Sequence, residues 1–138
     1  MRREASIMKK LDYSIIADYP KENFIEALLS VNGHSSSLRV CFQLTDFKNR
    51  SAMLEKHDIR LASAIEKIPE YTAIVMKESE SRYRDYCLTK TWEYTDPVLF
   101  ELFLYEDGTV DYYFSYFGDL EFESINIKED REGLLTLS

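Results

Sequence analysis

The residues with the clearest potential for chemistry are tyrosines, phenylalanines and carboxylates that alternate along two adjacent apolar runs, 98–105 and 109–117. Paired carboxylates act as general acid and base only where a pocket separates their pKa values, and the sequence gives no sign of one. On a surface, the same residue types serve recognition, because aromatic rings supply rigid contact area and acids steer a basic patch. The pattern therefore favours binding over catalysis.

No nucleotide-binding or hydrolase motif is present, and the sequence predicts no metal and no cofactor. The chain has two cysteines, Cys41 and Cys87, and two histidines, His34 and His57, whose spacing matches no zinc site. Both cysteines fall in predicted strands, and we expect them to be free and buried, as in a cytoplasmic protein. His57 lies in the apolar stripe of a predicted helix, where we expect a packed histidine.

The dipeptide Asp107–Gly108 between the two runs predicts a β-hairpin. A two-residue turn would pair Tyr105 with Val110, whereas a three-residue turn, with Gly108 left-handed, would pair Leu104 with Val110. We predict the second register, because it gathers the apolar residues on one face. That face comprises Val98, Phe100, Leu102, Leu104, Val110, Tyr112, Phe114 and Tyr116.

The opposite face of the hairpin mixes aromatic rings with acids. It comprises Leu99, Glu101, Phe103, Tyr105, Asp111, Tyr113, Ser115 and Phe117. Two interpretations stay open: a partner-binding surface, or a second small core under a loop or the tail. For the first, we predict a contact surface formed by Glu101, Tyr105, Asp111, Tyr113, Glu121 and Glu123.

The rest of the chain predicts the elements that hold this hairpin. Helices are predicted over Pro20–Val31 and Ser51–Ile68, the second ended by Pro69. Strands are predicted over Leu11–Ala17, Leu38–Thr45, Tyr71–Met76, Tyr86–Tyr94 and Leu120–Ile127, with a loop over Lys77–Arg84 and a bulge near Ser124. For Tyr71–Met76, continuation of the second helix is the alternative. The fold class is therefore α+β: an antiparallel, curved, mixed-order sheet of about five to seven strands with two helices packed on one face.

The 138 residues predict a single domain, with 1–7 as a disordered leader if Met8 is the start. Residues 129–138 are expected either to be a loose tail or to add an edge contact. The sequence has no apolar run near ~20 residues and no secretory signal, so we expect no membrane span and a cytoplasmic location.

Negative charge is concentrated in the C-terminal third. The net charge is −8, but residues 93–138 hold twelve acids and two bases, whereas residues 1–92 carry a net charge of +2. Such a field repels nucleic acid and attracts basic partners.

A small acidic α+β chain with a Tyr- and Phe-rich Asp-Gly hairpin, Trp92 to Phe117, resembles bacterial toxin-immunity proteins in type. The resemblance implies an inhibitor without catalytic activity that neutralises a basic protein such as a toxin nuclease. Two alternatives are a nucleic-acid-mimicking antagonist, and a small-molecule binder or enzyme with a concave aromatic pocket. Trp92, Tyr94, Tyr112 and His57 would line that pocket. A homodimer through the aromatic sheet is a further option.

Overall fold

One seven-stranded sheet and one long helix make up the described chain in the computed structural model, which covers residues 12–31, 37–91, 95–116 and 124–138. A 3-10 turn, Phe47–Asn49, leads directly into the helix. The elements are β1 Tyr13–Tyr19, β2 Phe24–Leu29, β3 Leu38–Gln43, α1 Arg50–Lys90, β4 Val98–Leu104, β5 Val110–Ser115, β6 Ile125–Glu129 and β7 Leu135–Leu137.

The strands lie side by side in chain order, from β1 to β7. Every neighbouring pair is antiparallel except β3 and β4, which are parallel. A parallel pair needs a long crossover connection, and α1 supplies it. The predicted α+β class is confirmed, and the sheet is antiparallel except at this one pair. The predicted mixed strand order is wrong, because the strands lie in chain order, and so is the prediction of two helices for the residues that the structure describes.

The predicted first helix, Pro20–Val31, is instead the turn and second strand of a β-hairpin. Its apolar residues suit helical spacing, but Ile25, Ala27 and Leu29 also alternate and are all buried on one face of the sheet. The turn closes at Asn23, whose φ of 61° is a left-handed conformation that asparagine tolerates well.

The predicted second helix does not end at Pro69. It continues as α1 to Lys90, through the segments assigned to a strand at Tyr71–Met76 and a loop at Lys77–Arg84. The predicted strand Tyr86–Tyr94 is also helical as far as Lys90, while residues 92–94 lie outside the described chain.

Burial explains why the helix continues. Proline in a helix interior removes one backbone hydrogen bond, at a cost of about 3 kcal/mol. Beyond Pro69, however, Tyr71, Val75 and Ser79 recur at four-residue intervals and are at most 3% exposed. This stripe against the sheet offsets the loss. Cys87 is therefore helical, not extended, although both cysteines are buried as predicted.

The β4–β5 hairpin has the predicted three-residue register. Leu104 lies opposite Val110, and the Tyr105 amide donates to the Thr109 carbonyl at 2.9 Å. Gly108 has φ of 99°, as the left-handed turn position requires.

The predicted assignment of side chains to the two faces is wrong at the start of β4, where a bulge lies between Leu99 and Glu101. The extra residue reverses the alternation before it. Leu99 is therefore 2% exposed in the core, whereas Phe100 is 46% exposed. The assignment of Val98 and Phe100 to the core face and of Leu99 to the opposite face is wrong, because Val98 lies opposite Ser115.

The core lies between α1 and one face of the sheet. Tyr71 of the helix packs edge-on against Tyr112 of β5, with ring centroids 4.9 Å apart. Both hydroxyls donate to the buried Glu129 carboxylate, at 3.0 and 3.1 Å, and Lys67 pairs with the same group. Glu129 is thereby satisfied at the helix–sheet boundary.

His57 is a packed histidine, as expected. It is 2% exposed, and its Nε2 lies 2.7 Å from the carbonyl oxygen of Gln43. Burial lowers the pKa of His57, so the ring is held neutral within the core.

The C-terminal residues form the edge strand β7, paired with β6, so the tail adds an edge contact. Of the predicted strand Leu120–Ile127, the structure describes Ile125 onward as the start of β6. Residues 1–11 and 117–123, which include the predicted leader, lie outside the described chain.

The two left-handed glycines form a matched pair for testing the hairpin turn. A Cβ at Gly108 would lie 2.7 Å from Arg131 Cβ, whereas a Cβ at Gly133, with φ of 89°, would meet nothing within 4 Å. Both alanine variants incur the cost of positive φ, but only Gly108→Ala adds a clash. In urea unfolding, we expect losses of about 1 kcal/mol for Gly133→Ala and about 2–3 kcal/mol for Gly108→Ala. Equal losses would contradict the close packing of this turn.

Candidate functional site

The second face of the sheet has no helix against it in the described part of the chain, because α1 packs on the other face. We call it the open face. Its side chains follow from the strand registers and come from β1, β2, β3, β4, β5 and β6. They include Tyr19, Phe24, Glu26, Arg39, Cys41, Glu101, Phe103, Tyr105, Asp111, Tyr113, Asn126 and Lys128.

A band of aromatic rings crosses the open face from β1 to β4. Tyr19 stacks on Phe24 at 4.6 Å, Phe24 lies 6.0 Å from Phe103, and Phe103 lies 4.7 Å from Tyr105, all between ring centroids. These rings are half-buried, so each keeps part of its surface accessible. The tail does not cover them, because β7 extends the sheet at its edge.

Three charged residues from neighbouring strands form a row beside this band. The Arg39 guanidinium donates through Nε to Glu26 and through Nη1 to Glu101. The two carboxylate side chains are only 15% and 12% exposed. Arg39 lowers the pKa of Glu26, and the hydrogen bond to Glu26 raises the pKa of Arg39. Each carboxylate is therefore ion-paired within the protein, although the row keeps a net charge of −1, because two acids share one guanidinium.

Asp111 lies at the centre of a second polar group, on β5. It is 6% exposed, and its Oδ2 accepts hydrogen bonds from the Tyr105 hydroxyl at 2.8 Å and the Tyr113 hydroxyl at 3.0 Å. Burial and the bond to Asp111 raise the pKa of Tyr105 to about 12, and the same causes raise the pKa of Tyr113. Both hydroxyls therefore stay protonated and act as donors at neutral pH.

The structure brings four of the six predicted contact residues to the open face: Glu101, Tyr105, Asp111 and Tyr113. Glu121 and Glu123 lie outside the described residues. The acids differ from simple solvated charges, because Glu101 is ion-paired and Asp111 is buried. Glu101 holds the side chain of Arg39 in place, and Asp111 holds the hydroxyls of Tyr105 and Tyr113.

Sequence reasoning missed Glu26, Arg39, Phe24 and Lys128 as members of this face. The alternation of residues 38–45 predicts that Arg39 and Cys41 share a face, but it does not show what lies opposite. The Arg39–Glu101 contact forms because β3 and β4 are parallel neighbours. A helix that ends at Pro69 provides no long crossover between these two strands, so the predicted elements gave no reason to place Arg39 beside Glu101.

Cys41 is a buried thiol on the open face, and burial raises its pKa to about 12. It is therefore protonated and unreactive at neutral pH. Within the described ranges, no three His, Cys, Asp or Glu side chains are grouped so that they could hold a metal ion.

A cleft of about 380 Å³ lies between α1 and the turns after β4 and β6. Its walls are polar and charged, with Arg60 and Lys67 from the helix and Glu129 and Arg131 from the β6 end. Neither Tyr112 nor His57, two of the four residues predicted for a concave aromatic pocket, lines it. The other two, residues 92 and 94, are not among the described residues.

Comparison of the chain with protein-family models, curated proteins and solved structures found no match. Among the described residues, no helix combines the length and apolar character needed to cross a membrane.

The ion pairs of Arg39 with Glu26 and Glu101 are expected to stabilise the sheet, and an ion pair on the surface of α1 serves as the control. Arg39→Gln leaves two largely buried carboxylates, Glu26 and Glu101, without their cation, so we expect a loss of about 1–3 kcal/mol. Arg82, which pairs with Glu78 one turn away on α1, is the matched surface case. Arg82→Gln should cost under about 0.5 kcal/mol. Urea unfolding at pH 7 measures both, and similar losses would show that the row does not stabilise the sheet.

Proposed function

We propose that this chain is a protein-binding module that neutralises a basic protein through the open face, in the manner of an inhibitor such as a toxin-immunity protein. The observation that carries the proposal is the half-buried aromatic band on a sheet face without a described helix. Accessible aromatic side chains in contact with one another are typical of the centres of protein interfaces.

Preorganisation supports the same function. Arg39 holds two carboxylates across three strands, and Asp111 holds two tyrosine hydroxyls. Side chains fixed in this way lose little conformational entropy when a partner binds, so more of the contact energy appears as affinity. The open face is thus already ordered in the free protein.

The charge around the face supports a basic partner. Residues 95–116 contain five acids and no lysine or arginine. Asp107 lies exposed at the tip of the β4–β5 turn, beside the half-buried Glu106. Carboxylates at the rim of an aromatic patch raise the association rate with a positively charged protein such as a toxin nuclease.

Mimicry of nucleic acid is less well supported than a protein contact. A phosphate mimic needs a row of uncompensated carboxylates. On the described part of the open face, Glu26 and Glu101 share Arg39, and Asp111 is bonded to two hydroxyls. The face offers aromatic area with few free charges, which suits a protein surface.

Two exposed apolar residues on opposite sides of the molecule allow a matched test. Phe100 is 46% exposed, with its ring 6.3 Å from that of Tyr113 on the open face, whereas Ile59 is 76% exposed on α1. Wild type, Phe100→Ala and Ile59→Ala would each be immobilised as bait for lysate of the source organism. We expect one basic protein to bind wild type and Ile59→Ala, to be reduced at least about tenfold on Phe100→Ala, and to be released by high salt.

The same experiment can reject the proposal. If the three baits retain the same proteins in the same amounts, the open face is not the binding surface. If no protein is retained on any bait at low salt, the protein-binding function itself is contradicted.

A further inference from the structure

We infer that Asp111 is the anchor for one cationic side chain of the partner, a guanidinium or ammonium group, bound between Tyr105 and Tyr113. The inference rests on the proposed function, since the cation belongs to the bound protein. The acids on the strands of the open face differ in whether they form ion pairs. Glu26 and Glu101 are ion-paired with Arg39, whereas Asp111 forms no ion pair with any described residue.

The hydrogen bonds of Asp111 leave one oxygen available. Both tyrosine hydroxyls donate to Oδ2, and no described group donates to Oδ1. The residue is 6% exposed, so a small part of its surface is accessible from the open face. Oδ1 is not among the described side-chain atoms that are fully buried without a partner. A carboxylate with one oxygen held by two donors is fixed in orientation, and its other oxygen can accept a further N–H group.

The ring of Tyr105 already lies within reach of one cation of the chain itself. Lys128 lies directly across from Asp111 on β6, and its Nζ is 6.0 Å from the centroid of the Tyr105 ring. That distance falls within the range in which the ring quadrupole attracts a positive charge. Lys128 is exposed and makes no ion pair with Asp111, so it stands beside the carboxylate without occupying it.

The burial of Asp111 strengthens its attraction for a cation. A carboxylate that is already largely removed from water loses little further hydration when a cation arrives, and the attraction is stronger than at an exposed acid. A guanidinium suits the arrangement best, because one N–H can reach Oδ1 while its plane lies against a tyrosine ring.

The test uses N-methylguanidinium chloride as the probe, titrated into the ¹⁵N-labelled full chain at constant ionic strength set with sodium chloride. We expect saturable amide shifts centred on Asp111, Tyr105 and Tyr113. Asp111→Asn removes the charge but keeps an oxygen acceptor for the hydroxyls, so affinity should fall at least about tenfold. Glu132→Gln removes an equal charge from the exposed turn before β7 and should leave affinity unchanged.

A second variant keeps the test decisive if Asp111→Asn does not fold. Lys128→Gln removes the neighbouring positive charge from an exposed site, so probe affinity should rise about two- to fivefold. Shifts that do not saturate in wild type, or an affinity unaffected by Lys128→Gln, would overturn the anchor.

The anchor and the proposed function can fail separately. If a captured partner is lost from Phe100→Ala but retained equally on Lys128→Gln, Asp111→Asn and wild type, the face binds a protein without this anchor. If the probe binds as expected but no protein depends on Phe100, the cation site exists and the proposed function is wrong.

Discussion

The parallel pairing of β3 with β4 is the constraint on which the rest of the structure depends. All other neighbouring strands are antiparallel and follow one another directly in the chain, so each pair is joined at one end of its strands. Two parallel strands cannot be joined in that way, and the chain must cross from one end of the sheet to the other. The 41-residue helix α1 makes this crossing and brings its buried stripe onto one face.

Placing the crossover on one face has a direct consequence for the other. At about 1.5 Å per residue, α1 is roughly 60 Å long, which is ample to cover one face of the sheet, and no described helix remains for the second. That second face is not an ordinary solvated surface. Its rings touch one another, and its acids are held by Arg39 or by tyrosine hydroxyls. The side chains of the open face are therefore held in place by contacts with one another.

Local signals predicted those parts of this arrangement that depend on a few neighbouring residues. Asp107 and Gly108 fixed the hairpin register, and the alternation that follows correctly placed Glu101, Tyr105, Asp111 and Tyr113 on one face. The strand at Leu38–Gln43 was likewise evident from its alternation. In each case, the geometry of the turn and the alternation of side chains along the strand were enough to predict the structure, because both depend only on residues that are close in the sequence.

The failures occur where tertiary packing decides between two local options. Residues 20–31 satisfy both helical and strand spacing, and pairing with β3 selects the strand. Pro69 would end an isolated helix, but the buried side chains beyond it hold α1 together. The bulge at Phe100 leaves no turn signal in the sequence, yet it moves Leu99 into the core. The partner of Glu101 could be identified only once the crossover was known.

Hydroxyl-radical footprinting of the chain, alone and with a basic protein isolated by its binding to the chain, tests the central claim most directly. If the partner binds the open face, four aromatic residues lose reactivity in the complex: Phe100, Phe103, Tyr105 and Tyr113. Ile59 and Leu88, both exposed on α1, keep the same reactivity. Protection of Ile59 and Leu88 with unchanged reactivity of the four aromatic residues would place the partner on the helix and contradict the account.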